Sequence, residues 1–197
     1  MQSLYYFIVK PLNDRYDNTR RIAGTDLIIN SGIEDHRFIS KKAVVVSTPA
    51  AYTTKINIGD ELYIHHNIFR RWYDMRGNEK NSATYFKDDL YFAYPEQIYM
   101  YNLKTHLDYC FVKPLKNQSV LENRKEQPNI GIVKYSNKSL EALGITPGTL
   151  ITFTPNSEFE FIIEGERLYC MKSNNIALTH EYQGNEEENN PSWAKSS

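Results

Sequence analysis

Short apolar and aromatic runs, separated by turn residues, cover most of this chain, and very little of it has helical spacing. Leu4–Val9 is a continuous run that reads as a strand ended by Pro11, because proline cannot donate to a ladder. The pattern then weakens. Residues 17–37 form a long connection that carries Gly24, Gly32 and one apolar island, Leu27-Ile28-Ile29. Connections longer than about 12–15 residues are usually functional or disordered. Strand signals return at Ala43–Val46, at Lys55–Ile58 before a Gly59-Asp60 turn, and at Glu61–Ile64. Residues 65–85 read as an extended hairpin with a turn at Gly77-Asn78, and Leu90–Phe92 and Ile98–Met100 as further strands.

The second half repeats this order. Strands are expected at Phe111-Val112, closed by Pro114, and at Gly131–Lys134, Thr149–Phe153, Glu158–Ile163, Arg167–Cys170 and Ile176–Leu178, with a single helical turn at Lys138–Leu143. Val-Lys-Pro-Leu occurs twice, at Val9–Leu12 and Val112–Leu115. Aligning the halves matches Val9 with Val112, Gly59 with Gly148, Leu90-Tyr91 with Leu168-Tyr169 and Ile98 with Ile176. A duplication is therefore expected. The domains are then 1–103, with the long connection and the hairpin; 104–180, a shorter copy; and an acidic polar tail, 181–197, too polar to pack.

Composition narrows the chemistry. The 197 residues carry a formal net charge of −1, so no global basic field draws nucleic acid or anionic lipid. No apolar run approaches the roughly 18–20 residues of a membrane span. No basic segment with an apolar core opens the chain as a secretory signal would. Two cysteines, Cys110 and Cys170, make no disulfide framework and fit a reduced cytoplasmic setting as small buried residues. Dinucleotide, phosphate-loop and nucleophile-elbow motifs are missing, so neither enzyme chemistry nor a cofactor is expected. His65-His66 resembles a metal pair, but neighbours on a strand point to opposite faces.

Arg70, Arg71, Trp72 and Tyr73 combine cationic and stacking side chains. A small barrel can grip single-stranded nucleic acid with such residues. Asp74 and Glu79 beside them, and the negative net charge, favour an interface or packing role instead.

Val9-Lys10-Pro11-Leu12-Asn13-Asp14-Arg15 resembles the opening strand of the GroES-type co-chaperonins. Gly24–Asn30 is similar to their mobile loop, in which an apolar tripeptide follows a glycine. Ala43–Val46, Ile56–Ile64 and Leu90–Tyr99 resemble later strands of that family, in order, over about residues 6–101. Departures are Ser47 where the family has glycine, a 47–55 connection too short for a roof hairpin, and an insertion at Trp72–Ala83. Bacteriophage members also tend to lack the roof. In the second copy Lys116–Gln127 stands in the loop's place, charged and without the tripeptide.

The resemblance implies an all-β chain of two tandem GroES-like small β-barrels with a disordered tail. It implies a homo-oligomeric ring that caps the cage of a host chaperonin. Leu27, Ile28 and Ile29 would make the chaperonin contact, with Gly24 and Gly32 giving the loop its freedom. The location would be the cytoplasm, that of the host for a viral protein. The alternative is a virion structural, adaptor or decoration protein that reuses the barrels and touches other virion proteins; a weaker one is a single-stranded nucleic-acid binder.

Overall fold

A computed structural model describes residues 3–16, 19–22, 25–28, 38–117, 125–181, 184 and 186–196. The chain divides into two compact units, Met1–Leu103 and Lys104–Ser197. Both are built from antiparallel strands, and the described residues include one short α-helix.

The first unit contains β1 (Phe7–Pro11), β2 (Thr19–Ile22), β3 (Thr25–Ile28), β4 (Lys42–Ser47), β5 (Glu61–Ile64), β6 (Arg71–Tyr73), β7 (Glu79–Asn81), β8 (Tyr85–Lys87), β9 (Leu90–Ala93) and β10 (Ile98–Tyr101). Within this unit the strands of its main sheet run in the order β10-β5-β4-β1-β9-β8, and the pairs β2-β3 and β6-β7 stand apart from it. The second unit contains β11 (Lys104–Thr105), β12 (Tyr109–Lys116), β13 (Glu126–Tyr135), α1 (Lys138–Ala142), β14 (Leu150–Phe153), β15 (Phe159–Ile163), β16 (Glu166–Lys172) and β17 (Ile176–His180). Its sheet runs β17-β14-β13-β12-β16-β15. The two orders correspond strand for strand.

The register corresponds as well. Val9 faces Val45 on one side and Tyr91 on the other; Val112 faces Val133 and Tyr169. Both central strands carry an irregularity just before that valine. The Gly59 N–H donates to the Val45 carbonyl at 2.9 Å, and the Gly148 N–H to the Val133 carbonyl at 2.8 Å. Both glycines have positive φ, +91° and +96°, where a side chain would be strained. Ile98 faces Ile64 as Ile176 faces Phe153. What differs is the connection: between the second and third core strands the first unit has an irregular segment, and the second has α1, capped by the Asn137 side chain accepting from Leu140 N at 3.0 Å.

Period-two alternation selects the cores. Along β4, Ala43, Val45 and Ser47 are buried while Lys42, Val44 and Val46 are less so. Ala43 and Val45 join Phe7, Val9, Leu62, Ile64, Tyr91 and Ile98 in the first core. Cys110, Val112, Val133, Ile151, Phe153 and Met171 form the second, which Leu140 of α1 helps to close.

Four expectations need correcting. The Lys55–Ile58 strand does not form: Ile56 N donates to the Thr54 hydroxyl and Asn57 N to the Asp60 carboxylate, within an irregular segment between β4 and β5. Among the described residues neither sheet closes into a barrel: the end strands of each are not paired with one another, and β8, at one end of the first, is only three residues long. Pro114 does not end its strand. β12 continues through Lys116, because the position of the missing N–H lies on the side away from β13, where β16 no longer pairs. Nor is the described part of the acidic tail free. Glu188 bridges Leu115, Lys116 N donates to the Glu187 carbonyl at 2.7 Å, and Asn189 N donates to the Pro114 carbonyl at 2.8 Å. A 3₁₀ turn at Ser192–Ser196 packs on β16 and buries Ala194 completely. The carboxylates that suggested a solvated tail meet lysines on β12 instead.

Candidate functional site

The long excursion between β1 and β4 is fastened where it leaves and returns. Leu12 N donates to the Lys42 carbonyl at 3.2 Å, Ser40 N to the Arg15 carbonyl at 3.0 Å, and Tyr16 bridges Ile39. Within it, β2 and β3 form a regular antiparallel ladder in which Thr19 faces Ile28, Arg20 faces Leu27, Arg21 faces Asp26 and Ile22 faces Thr25. Leu27 and Ile28 therefore lie on a strand of a hairpin, where an irregular loop was expected. Gly24, Ile29 and Gly32 lie outside the described residues.

Arg15 and Tyr16, at the entrance, hold a second hairpin. Arg15 donates through Nε to the Phe69 carbonyl at 2.5 Å, through Nη2 to the Arg70 carbonyl at 3.0 Å and through Nη1 to Asn81 Oδ1 at 2.7 Å. A side chain that satisfies three acceptors in one segment fixes its position, and the guanidinium fork suits the task. Tyr16 is buried, and Phe69 sets its ring edge against Tyr91 with centroids 4.9 Å apart. Ser82 Oγ and Thr84 Oγ1 both donate to the Ile68 carbonyl.

Arg71, Trp72 and Tyr73 form β6, opposite Asn81, Lys80 and Glu79 of β7. Arg71 sits over Tyr16 and pairs with Glu79 at 3.5 Å; Tyr73 donates to Glu79 at 3.2 Å. Asp74 accepts from Asn78 N and Arg76 N, each at 2.9 Å, and its pKa is lowered chiefly by the Asn78 bond. The hairpin leaves Trp72 45%, Tyr73 38% and Met75 106% exposed. It brings Arg71, Trp72 and Tyr73 onto one small ribbon, with Arg70 just before it.

The histidine pair stands otherwise than a strand would place it. His65 caps a 3₁₀ turn, His66–Ile68, by accepting from Asn67 N at 3.1 Å, and the chain's change of direction stacks the two rings at 4.5 Å. Burial lowers the His65 pKa. No group of three or more metal-ligating side chains occurs among the described residues.

An exposed aromatic face lies on the same unit. Tyr6 meets Tyr94 at 4.6 Å and Phe92 at 6.0 Å, and Phe86 meets Phe92 at 5.1 Å. Tyr5, Tyr6, Phe86 and Tyr94 are exposed.

The second unit concentrates its charges where the tail docks. Arg167 donates to Glu126 at 2.6 Å, to Glu160 at 2.8 Å and to the Tyr169 hydroxyl at 2.6 Å, while Tyr169 donates to Glu126 at 2.5 Å. Asn189 from the tail donates to Glu126 at 2.9 Å. Burial works to raise the Glu126 pKa, but the bonds from Arg167, Tyr169 and Asn189 outweigh it and hold the carboxyl below its ordinary range. Lys113 bonds Glu188 at 2.8 Å and Glu166 at 3.3 Å, and Lys116 bonds Glu187 at 3.0 Å. The run Glu186–Glu188, set against Lys113 and Lys116 just beyond the predicted Phe111-Val112 strand, was the available sequence signal for this contact.

Among the described residues no helix is long and apolar enough to cross a membrane. No protein-family model matches the chain, and no curated protein matches it.

Proposed function

We propose that this chain is a non-catalytic, protein-binding module of the co-chaperonin type, which presents the β2–β3 hairpin to a hydrophobic groove on a chaperonin ring. One observation carries the reading. Two units share strand order and register, yet among the described residues only the first opens the connection after its central strand into a fastened excursion bearing a hairpin with Leu27 and Ile28. The second keeps β12 and β13 paired further out, with Lys116 facing Glu126 and Asn117 N donating to the Lys125 carbonyl. A duplicated scaffold with one elaborated connection fits a division of labour between framework and ligand. Ile29 completes the apolar tripeptide in sequence, with Gly24 and Gly32 on either side. Each apolar contact of one loop is weak, and a homo-oligomeric ring would multiply it.

The test is capture of a purified host-type chaperonin with and without nucleotide. Nucleotide-dependent binding is expected, with loss in Ile28→Asp at unchanged folding. Failure of the wild-type chain to bind sinks the proposal.

A second reading, a structural or adaptor subunit of a virion, is favoured by the exposed Tyr6, Tyr94 and Phe86 gathered around the half-buried Phe92. Contiguous exposed aromatic surface is the kind that subunit interfaces bury. Detection of the protein in purified particles would support it. For a single-stranded nucleic-acid binder Arg71 is poorly placed, being engaged with Tyr16 and Glu79.

A further inference from the structure

The tail's seat on the second unit is built to read one particular segment. β16 pairs with β12 only as far as Val112, and the tail takes the place beyond it. Lys116 N donates to the Glu187 carbonyl, Asn189 N donates to the Pro114 carbonyl, and Glu188 bridges Leu115 in the antiparallel sense. Main-chain bonds of this kind hold any extended segment. The side chains choose this one. Lys113 Nζ donates to both Glu188 carboxylate oxygens, at 2.9 and 2.8 Å, and Asn189 Nδ2 donates to Glu126 at 2.9 Å. Asn190 accepts from Arg167 N and donates to the Gly165 carbonyl, and Ala194 is completely buried.

The groups that read the tail are held by the sheet itself. Lys113 pairs with Glu166 at 3.3 Å, Arg167 donates to Glu160 and Glu126, and Tyr169 donates to Glu126. The side chains of Lys113 and Arg167 are only 13% and 12% exposed. An emptied seat therefore keeps its readers in place, and refilling it orders little that was free. The occupant is anchored lightly. Among the described tail residues only Ala194 is buried, and the Lys116–Glu187 pair is 54% and 65% exposed, where an ion pair contributes little. A preformed seat and a lightly anchored segment make the pairing a recognition event separate from the core. Every copy of the chain carries the segment that the seat reads, with its carboxylates opposite the seat's lysines.

We infer that the β12 seat is a self-recognition site, which takes residues 187–194 of a second copy in place of the chain's own tail, so that tail exchange links copies. Exchange of an identical element needs no contact that the single chain lacks, and concentration decides between the two modes. The inference is independent of chaperonin binding.

The experiment exchanges charges in the intact chain. Glu188→Lys sets the tail against its own Lys113, and Lys113→Glu sets the seat against its own Glu188. Each variant should release its own tail, read as amide hydrogen exchange at Asn189 faster by about tenfold or more, and each alone should sediment as a monomer. Mixed, the two can pair opposite charges only between chains, and a one-to-one heterodimer is expected in analytical ultracentrifugation. The double variant Lys113→Glu with Glu188→Lys restores the pair within one chain and should recover the slow exchange at Asn189, which also shows that the altered seat folds. Lys116→Glu mixed with Glu187→Lys repeats the exchange at exposed positions where folding is not at stake. Ile28→Asp in both partners should leave the heterodimer in place. A mixture that stays monomeric overturns the proposal. So does either single variant associating by itself as strongly as the mixture, which puts the contact elsewhere. Asn189 still protected in both single variants overturns it as well, because the Lys113–Glu188 pair would then not be what reads the tail.

Discussion

Tyr16 holds Arg71 twice: its ring lies under the guanidinium at 4.4 Å from the centroid, and its hydroxyl accepts the Arg71 backbone N–H at 2.9 Å. The entrance of the β1–β4 excursion is thereby joined to the root of the β6–β7 hairpin, 55 residues away in sequence. Tyr16→Phe removes only the hydroxyl and should cost about 1 kcal/mol in the first unit. Amide hydrogen exchange at Arg71 should accelerate in that variant, and an unchanged rate would show that the bond does not hold the hairpin.

Gly131 is the tightest glycine of the second sheet. A Cβ there would come within 2.5 Å of both the Lys113 carbonyl oxygen and Val112 Cγ1. The corresponding position opposite Pro11 is Ala43. Gly131→Ala should lower second-unit stability by about 1–3 kcal/mol, as overpacking does. Chemical denaturation followed in that unit checks it; a neutral result means β12 and β13 can separate without cost.

The second unit should lose stability in acid. Burial opposes ionisation of Glu126 and Glu166, but their hydrogen-bond partners outweigh it and depress both pKa values below the ordinary value. Their contribution is therefore complete above the unfolded pKa of about 4.3 and is lost as pH falls through the lower folded values. Lys113 has the opposite sense: burial works to lower its pKa, but Glu188 and Glu166 outweigh it and raise the value, so its contribution is lost only as pH rises above the ordinary lysine range of about 10.4. Thermal denaturation across pH 3–8 should show the fall on the acid side, shallower in Glu126→Gln. A flat profile would mean that the network leaves stability unchanged.

Cys110 and Cys170 are both completely buried, and burial pushes the Cys110 thiol up to about 12. Burial and the neighbouring Cys110 raise the Cys170 thiol as well. Neither should react with a disulfide reagent at pH 8 in the native chain, and both should react promptly in denaturant. Fast native labelling would show that the second core opens.

Much of the scaffold was readable along the chain. Alternation located the core strands, and the paired Val-Lys-Pro-Leu segments and glycine turns aligned the halves in the same correspondence that the register shows at Val9 and Val112, Gly59 and Gly148, and Ile98 and Ile176. Each of these signals is local: a period of two, or a turn that needs positive φ. The His65-His66 geometry was not readable, because the cap at His65 bends the chain only where Asn67 N comes round to its ring. The joint formed by Arg15 and Tyr16 with the hairpin root was not readable either, because it pairs side chains with backbone groups more than 50 residues distant.

By itself the sequence determined an all-β chain of two like halves, with one long connection marked by Leu27-Ile28-Ile29. Only the tertiary structure decided that the sheets stay open, that Leu27 and Ile28 sit on a paired strand, and that the acidic tail is seated on β12. The reason is physical. Strand identity comes from each residue's own neighbours, whereas closure, edge occupancy and charge pairing depend on which distant backbone groups and counter-charges meet.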